Sequence, residues 1–363
     1  MKVRLYGPVV GNGSFARVTR GTEAALRRLG MLVGLVPIDA YDEEEIYSGY
    51  DAEVGLFIGP PHQSVAMRQL GQHSQRLLML APNSSWLPQN IFSSKFEDVL
   101  TGFVSPSKWG ADVIRAHTSL PVEVLRHGVS EAFHADPFLR GRALASYREG
   151  QFHVAHFAST TMQRKGTEQL LEAWATFLTA HPEVQATLTL VVDAPEGYYA
   201  GAIMRASAKA ERLASTVSVF PRMDLDEQEQ ALFYSRFHAI VQPSRGEGFG
   251  LVPLEARACG VPVAITDCTG HSEHAHDLTP GARLLAPGVQ IIATGAEDFI
   301  DDGPGAKAPT LSADMVARGL GSLYENWNWL NEEALACASE TGTRWSWDHG
   351  IMQWLNDRRR NRK

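Results

Sequence analysis

Cysteine is scarce in this sequence: Cys259, Cys268 and Cys337 make an odd three and show no C-x-x-C spacing. That excludes a disulfide framework and the usual zinc-binding arrangements, and a reducing cytoplasm is the expected compartment. Long apolar runs are missing too. No stretch reaches the ~18 to 20 apolar residues that a spanning helix needs, and the opening MKVRLYGPVVGNG meets Gly7 after a few strand-like residues, so neither a transmembrane segment nor a secretory signal is expected. Nor is there an excess of positive charge: 33 Lys and Arg against 41 Asp and Glu leave −8, which does not suit a broad footprint on a phosphate backbone. The one basic cluster is terminal, Arg358, Arg359, Arg360, Arg362 and Lys363. It reads as cations completing the last turn of a C-terminal helix, where the dipole is negative, with weak contact to an anionic surface as the alternative. A hydrophobic content of 44% with 32 Gly and 19 Pro excludes disorder, collagen and coiled coil.

What is present is enough chain for two domains sharing a cleft, since 363 residues exceed one ordinary core. Short β-rich runs alternate with helical patterns, the mark of parallel sheets wound by crossover helices. In the first half the expected strands are Val3–Tyr6, Leu32–Val36, Val54–Ile58, Leu77–Leu80, Phe103–Val104 and Val122–Leu125. Between the first two, Val18, Thr22, Ala25, Leu26 and Leu29 fall on one helical face. The stretch Arg126–Gly150 changes composition and is read as the linker. The pattern then restarts with Phe152–Phe157, a helix over Thr167–Leu178, Leu188–Val192, Val217–Phe220, a helix around Glu227–Arg236, Ile240–Gln242, a helix opening at Pro253, and Val263–Ile265. Trp345–Arg360 carries Trp347, Ile351, Trp354 and Leu355 on one face, an apolar area that needs a docking surface. The fold class is therefore α/β, with two doubly wound Rossmann-like domains facing a central cleft. Their bounds are 1–128 with a returning 345–363, and 129–344.

Two loops carry chemistry. Gly11-Asn12-Gly13-Ser14-Phe15-Ala16 follows the first strand and opens the first helix, where free amides and the helix dipole suit an anion. It satisfies G-x-G-x-x-A, and Asp39 stands after the second strand where a dinucleotide-binding fold keeps its ribose acid, so an NAD(P)-dependent oxidoreductase is one alternative. The more specific signal is Pro243-Ser244-Arg245-Gly246-Glu247-Gly248-Phe249-Gly250-Leu251-Val252-Pro253-Leu254-Glu255. Here glycines allow close backbone approach, loop amides and a helix N-terminus face a diphosphate, and Glu247 and Glu255 bracket the loop with acceptors for sugar hydroxyls. Two hydroxyl-rich groups joined by a diphosphate describe a nucleotide sugar.

At this block, with Glu247 and Glu255 in E-x7-E spacing, the sequence resembles family 4 retaining glycosyltransferases of the GT-B fold. The likeness extends to Gln163-Arg164-Lys165-Gly166, Val104-Ser105-Pro106-Ser107-Lys108-Trp109, Arg126-His127-Gly128-Val129 and Thr269-Gly270-His271-Ser272-Glu273. The resemblance implies transfer of a sugar from a nucleoside diphosphate donor to an acceptor with retention of configuration and without metal or other cofactor. Lys165 would meet the diphosphate with Arg164 beside it, Glu247 the donor sugar, and Glu255 the ribose. Gly248, Phe249, Gly250, Leu251, Arg222, His271 and the N-terminal Gly11, Asn12 and Gly13 would complete the donor site. Asn83, Ser84 and His62 would line an acceptor site in the first domain, for a saccharide, lipid, small molecule, protein or modified nucleic acid.

The sequence departs from that pattern where Ala158-Ser159 replaces a Gly-Arg pair, where Ala81-Pro82-Asn83-Ser84 stands in place of a sugar-binding histidine, and where Asp193 replaces a glycine turn. These departures keep a non-catalytic nucleotide-sugar sensor open as a second alternative. His271, His274 and His276 alternate on a loop without an acidic cluster, which is poor metal-ligand spacing. Neither the donor's sugar and base nor the acceptor follows from the residues.

Overall fold

A computed structural model of the chain describes residues 1–11, 13–39, 52–59, 73–83, 87, 99–275, 288–291, 294–298 and 307–361. Asn12, His62 and Ser84, named above as site residues, lie outside these, as does His276. The chain divides into two compact units, Met1–Ser130 with Trp345–Lys363, and Glu131–Arg344.

The first unit is built on a six-stranded sheet of β1 (Lys2–Gly7), β2 (Leu32–Pro37), β3 (Val54–Ile58), β4 (Gln75–Met79), β5 (Gly102–Ser105) and β6 (Val122–Val124) in the order β2-β1-β3-β4-β5-β6. Every pairing is parallel. The inner strand β3 is buried at all five positions, as a strand covered on both faces must be, which is why it reads as an unbroken apolar run. The helix Ser14–Arg28 buries Val18, Thr22, Ala25 and Leu26, the face marked by its sequence spacing.

The C-terminal helix Trp347–Asn361 packs on that first helix. Gly21 makes room: a Cβ there would lie 2.3 Å from the Trp347 ring. Trp347, Ile351 and Trp354 are buried, worth roughly 1.5–3 kcal/mol each. Trp354 Nε1 donates to Glu123 at 2.6 Å, and Arg28 pairs with Asp348 at 2.6 Å. Arg358 stands in the last turn of this helix, as the sequence reading has it, and its side chain is also held by the fold. It is 9% exposed, pairs with Glu123 at 3.1 Å and lies 4.7 Å over the Trp354 ring, so the exposed basic end is reduced to Arg359 and Arg360 among the described residues.

The second unit carries β7 (Gln151–Phe157), β8 (Gln185–Val192), β9 (Val217–Pro221), β10 (Ala239–Gln242), β11 (Val263–Thr266) and β12 (Gly288–Ile291), ordered β12-β11-β10-β7-β8-β9. Within this unit that is the doubly wound 3-2-1-4-5-6 order, again all parallel, and its order reverses between β7 and β10. Two expectations change here. The stretch read as linker contains the helix Pro137–Arg148, capped by Asp136 and started by a proline. The apolar stripe that announces a surface helix is interrupted in PFLRGRALASYR because one of its anchors is polar. Arg140 is fully buried and donates to Phe237 O at 2.6 Å and to Asn331 Oδ1 of the helix Trp327–Arg344. The helix expected to open at Pro253 begins at Leu251, with Gly250 as its N-cap at φ +92°, so the proline sits inside the first turn.

Candidate functional site

Open α/β sheets bind ligands outside the carboxyl ends of their strands, at the point where the strand order reverses. In the second unit three loops leave β7, β10 and β11 at that point, and glycines let them close on one another. Gly166 has φ +66°, and a Cβ on it would stand 2.1 Å from Pro243 O of the β10 loop. A Cβ on Gly270 would lie 2.3 Å from the Gly248 carbonyl carbon. These contacts account for the glycines of R-K-G and T-G-H, at positions 166 and 270.

The junction brings together Lys165, Arg164, Glu247 and His271. Lys165 Nζ donates to Glu247 Oε1 at 2.5 Å, and Arg164 Nη1 lies 3.6 Å from the same oxygen. The side chains of Lys165 and Glu247 are 17% and 14% exposed, so the pair is shielded yet reachable from solvent. Burial alone would push the Glu247 carboxyl up, but Lys165 and then Arg164 outweigh it and hold it well below the usual carboxylate range. Burial lowers Lys165, against the pull of Glu247. His271 is pushed down to about 4 by burial, partly offset by Glu247, so the imidazole is neutral at pH 7. His156, beneath them on β7, is also lowered to about 4 by burial and bridges Val241 O at 2.9 Å and Thr167 Oγ1 at 3.0 Å.

Arg164 is partly spent on the protein, donating from Nε to Thr161 Oγ1 at 3.2 Å and from Nη1 to Gly246 O at 2.9 Å. The Ala158-Ser159 segment, where a Gly-Arg pair was expected, is held by hydroxyls. Ser159 Oγ bonds Thr161 Oγ1 at 2.8 Å, Tyr199 Oη donates to Ser159 O, and Tyr198 Oη donates to Thr160 O at 2.5 Å. The β10 loop does not offer all its amides to a ligand, contrary to the expectation from sequence. Arg245 N–H is taken by Arg164 O at 2.8 Å and Glu247 N–H by Thr269 Oγ1 at 3.0 Å.

Glu255 lies one helical turn into Leu251–Ala258, 3% exposed, and accepts from Tyr234 Oη at 2.9 Å. Gly248 and Phe249 are buried, while Gly250 and Leu251 are half-buried. Arg222 follows β9 with its side chain exposed and its amide on Val192 O at 2.8 Å. Sequence reasoning passed over Tyr234, His156 and Thr269. The first two lie in stretches with no motif, and Thr269 was quoted only as part of a family block.

The first unit, taken by itself, carries the glycine loop after β1. The Asp39 carboxylate accepts from Val9 N–H at 2.9 and 2.8 Å and from Val10 N–H at 2.8 Å, while Arg20 Nη1 donates to Val9 O and Gly11 O at 2.7 Å each. Asp39 is thus engaged in holding the loop, and the role of ribose acid in a dinucleotide site finds no support. Gly11 and Gly13 are exposed, and Asn83 is half-buried. No group of three His, Cys, Asp or Glu side chains placed to hold a metal occurs among the described residues. Among them, too, no helix is long and apolar enough to cross a membrane.

Comparison with known proteins fits this geometry. Residues 151–325, a stretch within the second unit, match the family described as Glycosyl transferases group 1. The chain is 27% identical over 230 residues to the lipopolysaccharide core biosynthesis mannosyltransferase LpsB of Rhizobium meliloti, a match spanning 58% of this chain and 62% of that protein. It is 28% identical over 200 residues to a D-inositol 3-phosphate glycosyltransferase of Paenarthrobacter aurescens, spanning 54% of this chain and 46% of that one. The match thus covers about half to three fifths of these relatives' length. Anabaena HepE, solved with UDP and glucose, shares the fold at a TM-score of 0.67 and 16% identity, over 98% of this chain and all of that one. The fold is GT-B, two parallel-sheet α/β domains.

Proposed function

We propose that the chain is a retaining glycosyltransferase that takes a sugar from a nucleoside diphosphate donor held by the second unit. The observation that carries this reading is the shielded Lys165–Glu247 pair where the β7, β10 and β11 loops meet, inside the stretch that matches the group 1 glycosyltransferase family. In this account Lys165 stabilises the charge that grows on the leaving diphosphate, Arg164 assists it, and Glu247 orients the donor sugar. Glu255 takes the ribose hydroxyls, with Gly248, Phe249, Gly250, Leu251, Arg222 and His271 around the donor, and Gly11, Asn12 and Gly13 are assigned to donor binding as well. Asn83, Ser84 and His62 serve the acceptor. The departing diphosphate accepts the acceptor's proton, so front-face attack needs no protein nucleophile.

No metal is required, because a buried ammonium and loop amides supply the countercharge. The reaction belongs in the cytoplasm, where three unpaired cysteines stay reduced. LpsB is named a mannosyltransferase and HepE was solved with UDP and glucose, so GDP-mannose and UDP-glucose are the donors to try first. The test is slow donor hydrolysis with and without EDTA. Release of nucleoside diphosphate unaffected by chelation is expected. Release of none, or a melting shift with NAD but with neither UDP nor GDP, overturns the reading. Binding without turnover would leave the sensor.

A further inference from the structure

Thr269 is the one non-glycine residue with positive φ among the described residues, at +50°. A β-branched side chain in the left-handed region is an outlier, and such strain persists only where the surroundings over-determine it. Here they do. The Ser272 hydroxyl donates to Thr269 O at 2.6 Å, and Gly270 N–H donates to Glu247 O at 2.7 Å. Thr269 Oγ1 accepts the Glu247 amide at 3.0 Å. Residues 269 and 270 therefore grip the backbone of Glu247 from both sides, at its N–H and at its C=O. The grip is close enough that position 270 admits only glycine, whose added Cβ would lie 2.4 Å from Glu247 O.

We infer that Thr269 is a positioning residue, held in a strained left-handed conformation so that its hydroxyl fixes the Glu247 backbone and points the carboxylate at Lys165. The inference rests on the reading of Glu247 as a donor-site residue. An unstrained residue at 269 could complete the turn, but no side chain other than Ser or Thr brings a hydroxyl at this distance to the Glu247 amide. Strain that a turn alone would not require is thus retained for one hydrogen bond at the candidate site.

Three substitutions separate the parts. T269A removes the hydroxyl and keeps the strain, T269G removes both, and T269S restores the hydroxyl without the branch. At an ordinary position Gly is less stable than Ala; here T269G should melt above T269A by about 2–4 °C. The Glu247 amide should exchange with solvent faster in T269A and T269G than in the wild type or T269S. With GDP-mannose and UDP-glucose assayed side by side, T269A and T269G should both lose on the order of 10–100-fold in kcat with donor KM little changed, and T269S should recover most of it. T269G melting at or below T269A, or a Glu247 amide equally protected in T269A and wild type, overturns the inference. So does wild-type kcat in T269A. Melting and exchange need no donor, so a wild-type chain that turns over neither donor counts against glycosyl transfer alone, and the positioning role is then decided by those two readouts.

Discussion

Replacing Lys165 by Met keeps most of the side chain's apolar length and deletes its charge, so it isolates what the ammonium does. In the ligand-free protein it removes a 2.5 Å contact to Glu247 and leaves Arg164 at 3.6 Å as the carboxylate's nearest cation. Breaking a buried pair costs about 3–5 kcal/mol when the survivor has no partner. With Arg164 in place and Glu247 14% exposed, the loss falls below that range. At roughly 2–4 °C per kcal/mol for a domain of this size, the melting temperature should drop by several degrees. K165M with E247Q should lose less than the two single losses summed, because the double variant strands no charge. Turnover behaves differently. The ammonium is worth most when charge develops on the diphosphate, so kcat should fall about 10² to 10³-fold while donor KM changes little. Steady-state release of nucleoside diphosphate, together with a melting curve for each variant, reads both effects. A folded K165M with wild-type kcat would show that the pair is only structural, and the donor assignment would fail.

On the proposed ribose role, the Glu255 carboxylate should matter to binding more than to rate, since such a contact is made before and during transfer. E255Q is expected to raise donor KM by roughly 10 to 100-fold, the loss of charge-assisted bonds, with kcat nearly kept; an unchanged KM in calorimetry or kinetics reassigns Glu255 to its bond with Tyr234. Acid should destabilise the second unit. His156 and His271 near 4 and His238 near 3, all lowered by burial, bind protons less readily folded than unfolded. The stability they confer is complete above pH 6.5 and is lost as pH falls toward 4, at up to about 1.4 kcal/mol per pH unit for each. Melting temperatures flat between pH 7 and 5 contradict their neutral burial. W354A should cost the first unit about 3–5 kcal/mol, because the indole is 1% exposed, bonds Glu123 and underlies Arg358; a denaturant midpoint close to wild type counters that docking.

The strands were the most legible part of the fold, because parallel sheets covered on both faces turn buried strands into apolar runs such as Val54–Ile58, and glycines mark where they end. The helix Pro137–Arg148 was missed because its buried anchor is Arg140, a residue whose type argues for solvent. The start of Leu251–Ala258 was misplaced by two residues because Pro253 is tolerated throughout a first turn, not only at its first position. At the candidate site, Lys165, Arg164, Glu247 and His271 could be named from motifs, and the structure brings those four together. That Asp39 holds the glycine loop, that Tyr234 bonds Glu255 and that Thr269 grips Glu247 could not be read from spacing. Each is a contact between segments more than twenty residues apart that the fold brings together, and each partner is an ordinary residue type with many other uses.

The central claim is that the Lys165–Glu247 junction holds a nucleoside diphosphate sugar and transfers its glycosyl group with retention. Proton NMR of the wild-type chain turning over GDP-mannose or UDP-glucose, followed within minutes at the anomeric region, tests it most directly. The account predicts that the free sugar appears first as the α-anomer, at a rate unchanged by EDTA and cut about 10² to 10³-fold by K165M. Appearance of the β-anomer first, or equal release by K165M, contradicts it.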